Sequence, residues 1–232
     1  EVFCLTDHDT WAGHAATAEI ARGGTTVLRG VEVSCTEGER NVHVLFYDVT
    51  PADPTRWADL EVALVASARA RRERVRAICA RLWQRGIVLD AERILAAAGD
   101  RVVGRPDVAR AMVEAGVVAT VGDAFRRYLH DGGPADVNVE GARIELSEAL
   151  ALGRSVGARM SLAHPHQHGE RSGALLRRHR ADGLDGIEAI YGQYDRRERA
   201  RWLELATSLD LTVTAGSDFH GSSLPTIEAP VV

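Results

Sequence analysis

Short apolar runs and longer periodic stretches alternate along the chain, and the two patterns predict different elements. The short runs are rich in β-branched residues and end at Gly or polar residues, as strands do. A polar turn at 37–41 separates the second run from the third, which predicts a hairpin or two neighbouring strands. The predicted strands cover residues 2–5, 25–33, 42–49, 160–163, 186–190 and 211–215.

The longer stretches repeat apolar residues every three or four positions, which is the spacing of one helix face. The clearest of them is 57–85, in which Trp57, Leu64 and Leu82 share an apolar face and arginines occupy the opposite face. Gly86 follows this stretch as a stop signal. The predicted helices cover residues 12–22, 57–85, 90–98, 106–115, 121–130, 145–156, 171–181 and 195–208.

Strands and helices alternate near both ends of the chain, whereas its middle is entirely helical. Such alternation is typical of a parallel sheet or barrel covered by helices, so the predicted fold class is α/β. We assign residues 1–50 and 158–232 to the barrel and 51–157 to a helical insertion that covers the active site. Because the chain opens inside an apolar run at Val2, we expect a preceding segment to belong to the barrel.

Composition narrows the class of protein. The chain has 232 residues, 45% of them hydrophobic, and a net charge of −5 that argues against non-specific binding to nucleic acid or membranes. All 28 basic residues are Arg, which excludes a lysine Schiff base within this chain. Three scattered cysteines, no CxxC motif, no signal peptide and no apolar run of about 18 residues predict reduced thiols in a cytoplasmic protein.

Potential metal ligands collect within or just after the predicted strands. In (β/α) barrels the carboxyl ends of the strands meet on one face, so residues far apart in sequence become neighbours there. Imidazole suits Zn, Fe and Mn, and carboxylates can bridge two cations. The candidate His and carboxylate ligands are more numerous than one tetrahedral ion can bind, so they predict a cluster of two or three divalent ions. The candidate ligands are Asp7, His8, Glu32, His43, His164, Asp218 and His220.

Each histidine by itself has a simpler explanation, because most histidines make ordinary hydrogen bonds and bind no metal. Glu32 resists that explanation, since a carboxylate in an apolar strand is rarely buried without a partner. His166 and His168 follow His164 in a His-rich tract, and we interpret them as loop residues near the mouth of the site. The histidines expected at the surface of helices are His14, His130 and His179.

The candidate ligands lie in five short motifs. These are Thr6-Asp7-His8-Asp9-Thr10, Gly30-Val31-Glu32-Val33-Ser34, Val42-His43-Val44, Leu162-Ala163-His164-Pro165 and Gly216-Ser217-Asp218-Phe219-His220-Gly221. In this order the motifs resemble those of the PHP (polymerase and histidinol phosphatase) family of phosphoesterases, and the match spans residues 1–221. The resemblance is to stand-alone bacterial members with a helical insertion. Weaker signatures of the family are Gly104-Arg105-Pro106 and Asp185-Gly186-Ile187-Glu188.

The resemblance implies a distorted (β/α)7 barrel that binds two or three divalent metal ions, which would be Mn, Fe or Zn. It also implies that Glu32 bridges two of these ions and that His43 and His164 complete one of the sites. His8 and His220 would serve another ion.

The chain departs from the family pattern in three places. Family members normally begin with a His-x-His motif and an Asp on an earlier strand, and these residues are absent here. By the resemblance, Asp218 would bind the same metal ion as that missing motif. The missing part corresponds to about one strand–helix unit, roughly 30 residues. Asp107 stands where many relatives have His, and Ile190-Tyr191-Gly192 stands near the position of another family His. The resemblance therefore does not specify a particular substrate.

The expected activity is hydrolysis of a small phosphomonoester by a metal-bridging hydroxide. His8, Glu32 and His220 are the candidate catalytic residues. Arg105 and His166 are the candidate substrate-binding residues, and a structural salt bridge is an equally weighted interpretation of Arg105. The expected partner is a small phosphorylated substrate, with no membrane and no long nucleic acid, and the oligomeric state is left undetermined.

Several activities stay open at this point. Nucleotides with a 3′-phosphate, or short oligonucleotides cut from an end, are the first substrates that the resemblance suggests, and histidinol phosphate is the second. A degenerate PHP module without turnover is an alternative that the missing first motif favours. An amidohydrolase acting on C–N bonds is a further alternative, against which the lack of Lys counts because no carbamylated lysine can bridge the metals.

Overall fold

The computed structural model describes residues 2–50, 54–99 and 101–219, where strands and helices lie close to their predicted positions. The strands are β1 (Val2–Leu5), β2 (Thr26–Glu37), β3 (Arg40–Tyr47), β4 (Ile144–Glu145), β5 (Arg159–Leu162), β6 (Leu184–Tyr191) and β7 (Thr212–Gly216). The helices are α1 (His14–Ile20), α2 (Ala58–Trp83), α3 (Ala91–Ala98), α4 (Arg105–Glu114), α5 (Val121–Ala124), α6 (Leu146–Ser155), α7 (Arg171–His179) and α8 (Arg196–Ser208).

The strands of these residues form one mixed sheet in the order β1-β2-β3-β5-β6-β7, with β4 beside β2. β3 runs antiparallel to both β2 and β5, and the other pairs are parallel. The hairpin, which was one of the two predictions for the second and third runs, is confirmed, so the sheet is mixed and not entirely parallel as the alternation of strands and helices predicts. Only Gly38 and Glu39 join β2 to β3, which is too short for the crossover that parallel strands need. Closure into a (β/α)7 barrel stays a prediction.

The chain divides into two compact units, a sheet unit of Glu1–Glu61 with Ile144–Val232 and a helical unit of Val62–Arg143. β4 and α6 therefore lie in the sheet unit, although the sequence assigned residues 144–157 to the insertion. The reason is that α6 buries Leu146 and Leu150 and packs against β2 and β5. That the helical unit covers the active site stays a prediction.

The middle of β2 is deeply buried. Residues 30–35 are all buried, as are Val44, Leu45 and Phe46 of the neighbouring β3. A continuous apolar run of this kind is typical of a strand that is covered on both faces. Glu32 is the carboxylate within this run, so the groups around it decide whether its burial is tolerable.

The helical unit has a core of its own. α2 contributes Val75, Ile78 and Leu82 from the predicted apolar face, and they lie in one cluster with Leu95 of α3 and Met112 of α4. Their spacing along α2 follows the helical period, which is why one face is buried while arginines remain on the other. None of the helices in the described residues combines the length and the apolar character of a bilayer-spanning segment.

A buried ion network stabilises the end of β3 in the sheet unit. The Asp48 carboxylate is completely buried, with Arg29 at 2.6 Å from its Oδ2 and Arg56 at 2.5 Å from its Oδ1. The Arg29 guanidinium also lies 4.8 Å from the ring centre of Trp57 and 5.8 Å from that of Trp11. Two guanidinium groups thus offset the desolvation of one carboxylate and join β3 to β2 and to the turn at 54–57.

Asp48→Ala should lower the free energy of unfolding by about 3 kcal/mol, because it leaves two arginines without their buried carboxylate. Urea denaturation followed by circular dichroism measures this loss. The matched control is Asp185→Ala, which removes a more exposed pair with Arg159 and should cost less than about 1 kcal/mol. Equal losses in the two variants would contradict the role given to Asp48.

Candidate metal centre

Three imidazoles surround one buried carboxylate in the sheet unit. Glu32 lies in the middle of β2 and is 7% exposed. Its Oε1 lies 2.8 Å from His43 Nδ1, 3.1 Å from His164 Nε2 and 3.9 Å from His8 Nδ1. Since the four side chains come from separate segments of the sequence, the fold itself brings their donor atoms together.

Backbone hydrogen bonds place His8 beside Glu32. The Glu32 N–H donates to the Asp7 carbonyl at 3.0 Å, and the Asp9 N–H donates to the Glu32 carbonyl at 2.9 Å. These two bonds make a parallel bridge between His8 and Glu32 beyond the end of β1. Asp9 has a left-handed backbone with φ 52°, and its Oδ1 accepts the Ser34 N–H at 2.8 Å. The segment after β1 is therefore attached to β2 by three hydrogen bonds.

The pairing of β3 with β5 places His43 beside His164. The Ala163 N–H donates to the His43 carbonyl at 3.1 Å, and His43 Nδ1 lies 3.1 Å from His164 Nε2. His43 lies within its strand, as the sequence indicates, but in the first half of β3 and not at its carboxyl end. Because β3 runs antiparallel, its amino end meets the same edge as the carboxyl end of β5.

The donor atoms fit a divalent cation. Ligand atoms of His8, Glu32 and His43 lie within 4.8 Å of one another. Glu32, His43 and His164 present donor atoms 2.8–3.1 Å apart. Ligands of a tetrahedral ion with bonds of about 2.0 Å are separated by roughly 3.3 Å, so a small outward movement would admit an ion. Two overlapping groups of donors thus share Glu32 and His43, and both consist of the nitrogen and oxygen donors that suit Zn, Fe and Mn.

The charges of the cluster stabilise one another. Burial by itself raises the pKa of Glu32, but the charge of His8 and the hydrogen bonds from the other two imidazoles outweigh it and hold that pKa well below its usual value. Burial lowers the pKa of His164, but the contact with Glu32 and the charges of nearby carboxylates outweigh it and raise the pKa. The carboxylate at the centre is therefore ionised and attracts cations.

Two side chains of β6 reach the same edge of the sheet. Glu188 is buried, and its Oε2 accepts the His164 N–H at 2.8 Å. Burial, with the charges of Glu32 and Asp218, outweighs the contact with His164 and raises the pKa of Glu188 to about 7. The Tyr191 hydroxyl donates to Asp218 Oδ2 at 2.8 Å, which orients that candidate ligand.

The other candidates of the sheet unit are less central. Asp7 is exposed, and it is its backbone carbonyl that pairs with β2. His166 is also exposed; its Nδ1 lies 2.9 Å from the Tyr194 hydroxyl, and its ring centre lies 6.1 Å from that of His164. His220 lies outside the described residues.

Arg105 lies in the helical unit, where it begins α4. Its guanidinium donates to the Leu129 carbonyl at 3.0 Å and to Asp131 Oδ1 at 2.6 Å. The structural salt bridge considered from the sequence is therefore present. A role of Arg105 in substrate binding stays a prediction.

Glu188 and Tyr191 were not predicted as site residues, and His179 was misplaced. Glu188 carries the same sequence signal as Glu32, namely a carboxylate inside an apolar strand. Tyr191 gives no local signal, because its contact with Asp218 depends on the pairing of β6 with β7. His179 was expected at the surface but is buried, with a carboxylate oxygen about 3 Å from each ring nitrogen.

Known proteins are similar to this chain over most of its length, although no family model matches it. A 3′,5′-nucleoside bisphosphate phosphatase of Chromobacterium violaceum is 31% identical over 225 residues, which cover 94% of this chain and 76% of that protein. A 5′-3′ exoribonuclease of Haemophilus influenzae is 35% identical, with 94% of this chain and 79% of that one covered. The chain belongs to the PHP family. A third relative of this PHP protein, a phosphoribosyl 1,2-cyclic phosphate 1,2-diphosphodiesterase of Eggerthella lenta, is 30% identical, with coverages of 95% and 83%.

Two solved structures share the α/β fold of this PHP protein. An amidohydrolase of Chromobacterium violaceum with bound sulfate and no metal has a TM-score of 0.82 and 30% identity, covering 94% of this chain and 77% of that one. A Bifidobacterium adolescentis protein described as a metal-dependent phosphoesterase has a TM-score of 0.72 and 28% identity, covering 96% and 78%. The PHP protein is accordingly a hydrolase of phosphate esters, and its family membership implies divalent metal ions.

Glu32→Gln should leave the PHP protein folded but lower its metal affinity and its kcat/KM by at least about 100-fold, because the imidazoles lose their central negative charge. Elemental analysis of the purified protein and a phosphate-release assay measure the two effects, and circular dichroism reports the fold. Glu145→Gln changes an exposed glutamate and is the matched control. Full metal content and turnover in Glu32→Gln would contradict its place at the centre of the site.

Proposed function

We propose that this protein removes phosphate from a small phosphomonoester, and that a nucleotide with a 3′-phosphate is its first candidate substrate. The observation that carries the proposal is the buried Glu32 carboxylate with three imidazole nitrogens within 3.9 Å of its Oε1. One relative is named for phosphatase activity on nucleoside bisphosphates. The net charge of −5 favours a small substrate over long nucleic acid.

The protein would hold two or three divalent ions, with Mn, Fe and Zn as the metals that its donors suit. Glu32 would be shared between two sites, of which His43 and His164 complete one while His8 and His220 belong to the other. Bound cations of this kind lower the pKa of water and neutralise phosphate oxygens. The residues around Glu32 would hold these cations, and the buried His164 side chain would screen the inner side of the site from water.

The exposure of the three imidazoles suggests the side from which substrate enters. The His8 and His43 side chains are 31% and 25% exposed, whereas the His164 side chain is 4% exposed. A phosphate group would approach past His8 while His164 closes the inner wall. The exposed ring of His166, 5.1 Å from that of Tyr191, offers a contact for the rest of the substrate.

Asp218 would belong to a metal site of its own. The hydroxyl of Tyr191 donates to one of its carboxylate oxygens and so holds the group at the end of β7. Asp7 would serve the same part of the centre only after its exposed side chain turns inward.

A group of arginines in the helical unit supports the binding of a phosphate by Arg105. Burial, together with Arg143 and Arg105, lowers the pKa of Arg74 to about 10. Burial and the charges of Arg105 and Arg71 likewise lower the pKa of Arg143. Guanidinium groups that are half buried and repel one another bind a phosphate dianion favourably, because it offsets their charge and accepts bidentate hydrogen bonds. The carboxylates that offset part of this charge are Asp136, which pairs with Arg74 at 3.2 Å, and Asp131, which pairs with Arg105 at 2.6 Å.

A panel of substrates tests the proposed function against the alternatives. With Mn²⁺ we expect the highest kcat/KM for a 3′,5′-nucleoside bisphosphate, followed by short oligoribonucleotides and then by histidinol phosphate. A higher kcat/KM for the oligoribonucleotide or for a cyclic phosphate would instead assign a phosphodiester as the substrate. The names of the exoribonuclease and diphosphodiesterase relatives refer to substrates of that class. Hydrolysis of amides alone would favour an amidohydrolase, and no turnover of any substrate would favour a module without catalysis.

Arg105→Ala should raise the KM for a nucleoside bisphosphate about tenfold, because it removes a guanidinium that would pair with a phosphate. Steady-state phosphate release measures this change. Arg110→Ala is the matched control, since Arg110 also lies on α4 and pairs with Asp107. Unchanged kinetics in Arg105→Ala would assign the side chain to its salt bridge with Asp131 alone.

A further inference from the structure

The buried carboxylate of Glu188 contacts the backbone of His164 rather than the converging donor atoms. Its Oε2 accepts the His164 N–H at 2.8 Å, and the two residues are 5% and 3% exposed. Both groups are therefore largely screened from bulk water. Removal of the acceptor would therefore leave a buried N–H without a hydrogen bond, which is unfavourable.

His164 needs this support because its backbone conformation is unusual. Its φ of 28° and ψ of 63° lie in the left-handed region, which is unfavourable for a residue with a Cβ. The chain turns here from β5 into a short helix at Pro165–Gln167, where the His164 carbonyl accepts the Gln167 N–H at 3.1 Å. The same turn directs His164 Nε2 towards Glu32. A bond that fixes this backbone therefore also fixes the imidazole.

Strands β6 and β7 leave space for the carboxylate of Glu188. The pairing of β6 with β7 shifts register between Glu188 and Ile190, and such a bulge changes the direction of the side chain beside it. Gly216 of β7 leaves the necessary space, because a Cβ at this position would overlap Glu188 Oε1. The backbone of β6 and β7 thus permits the contact between Glu188 and His164.

We infer that Glu188 is a positioning residue, which accepts the His164 N–H and so keeps His164 Nε2 at the metal centre; the inference rests on the proposed function. The competing role is that the Glu188 carboxylate itself binds a cation. To accept the His164 N–H, the side chain at position 188 must have the right length. To bind a cation, it must carry a negative charge. Substitutions that separate length from charge distinguish the two roles.

Two conservative variants make that separation. Glu188→Gln keeps the length and an oxygen acceptor but removes the charge. Glu188→Asp keeps the charge but withdraws the acceptor by about 1.5 Å. Hydrogen exchange of the His164 amide, followed by NMR in the metal-free protein, reports the hydrogen bond. Titration calorimetry with Mn²⁺ reports the metal affinity of the same variants.

We expect Glu188→Gln to keep the His164 exchange rate within about threefold of the wild type, and Glu188→Asp to raise it at least about tenfold. Mn²⁺ affinity should follow the same order, with at least about a tenfold loss in Glu188→Asp. Glu204→Gln and Glu204→Asp, on the exposed side of α8, are the matched controls and should behave as the wild type. Loss of affinity in the glutamine variant with retention in the aspartate variant would overturn the inference and assign a metal ligand. Unchanged exchange in Glu188→Asp would also overturn it.

The exchange measurement separates this inference from the proposed function. If the wild type binds no metal, the proposed centre fails, but the exchange rates of the metal-free variants still decide whether Glu188 holds His164. If Glu188→Asp does not fold, Gly216→Ala tests the contact from the other strand, because its Cβ would displace the carboxylate. Faster exchange at His164 in Gly216→Ala supports the inference, and unchanged exchange overturns it.

Discussion

A carboxylate buried in the middle of an apolar strand is the constraint on which the rest of the sheet unit depends. An isolated charge there would be unfavourable, so Glu32 needs partners that carry or share positive charge. Imidazoles from three other segments meet this need, within 3.9 Å of one oxygen. The β1–β2 bridge, the β2–β3 hairpin and the β3–β5 pair must all form before these groups meet. The arrangement that makes the charge tolerable also attracts cations, so folding and chemistry share one interaction.

Backbone strain is concentrated around the same carboxylate. Among the residues that the structure describes, four that are not glycine have a left-handed backbone, and three of them, Asp9, His164 and Asp218, border the site. Each such conformation costs on the order of 1–3 kcal/mol and persists only where neighbours hold it. Each of the three makes a hydrogen bond to a neighbouring strand. Strain at strand ends thus positions the donors, and the sheet compensates for it.

Much of the fold and part of the candidate site could be predicted from the sequence. Hydrophobic periodicity and an acidic residue in an apolar strand both report local burial. The elements and the burial of Glu32 followed from such local signals, whereas the grouping of Glu32 with His43 and His164 rested on the meeting of strand ends and on the resemblance to the PHP family. The direction of β3 followed only in part, because the polar turn at 37–41 predicted either a hairpin or two neighbouring strands. The contacts of Glu188 and Tyr191 depend on register between distant strands and on a bulge, which no local pattern encodes. β4, with two residues, is too short to show any period.

Anomalous diffraction from crystals grown with Mn²⁺ tests the central claim most directly. We expect a manganese peak roughly 2.2 Å from a carboxylate oxygen of Glu32, with imidazole nitrogens of His43 and His164 at similar distances. Catalytically active crystals whose anomalous peaks all lie away from Glu32, with the imidazoles still closed on its carboxylate, would contradict the claim.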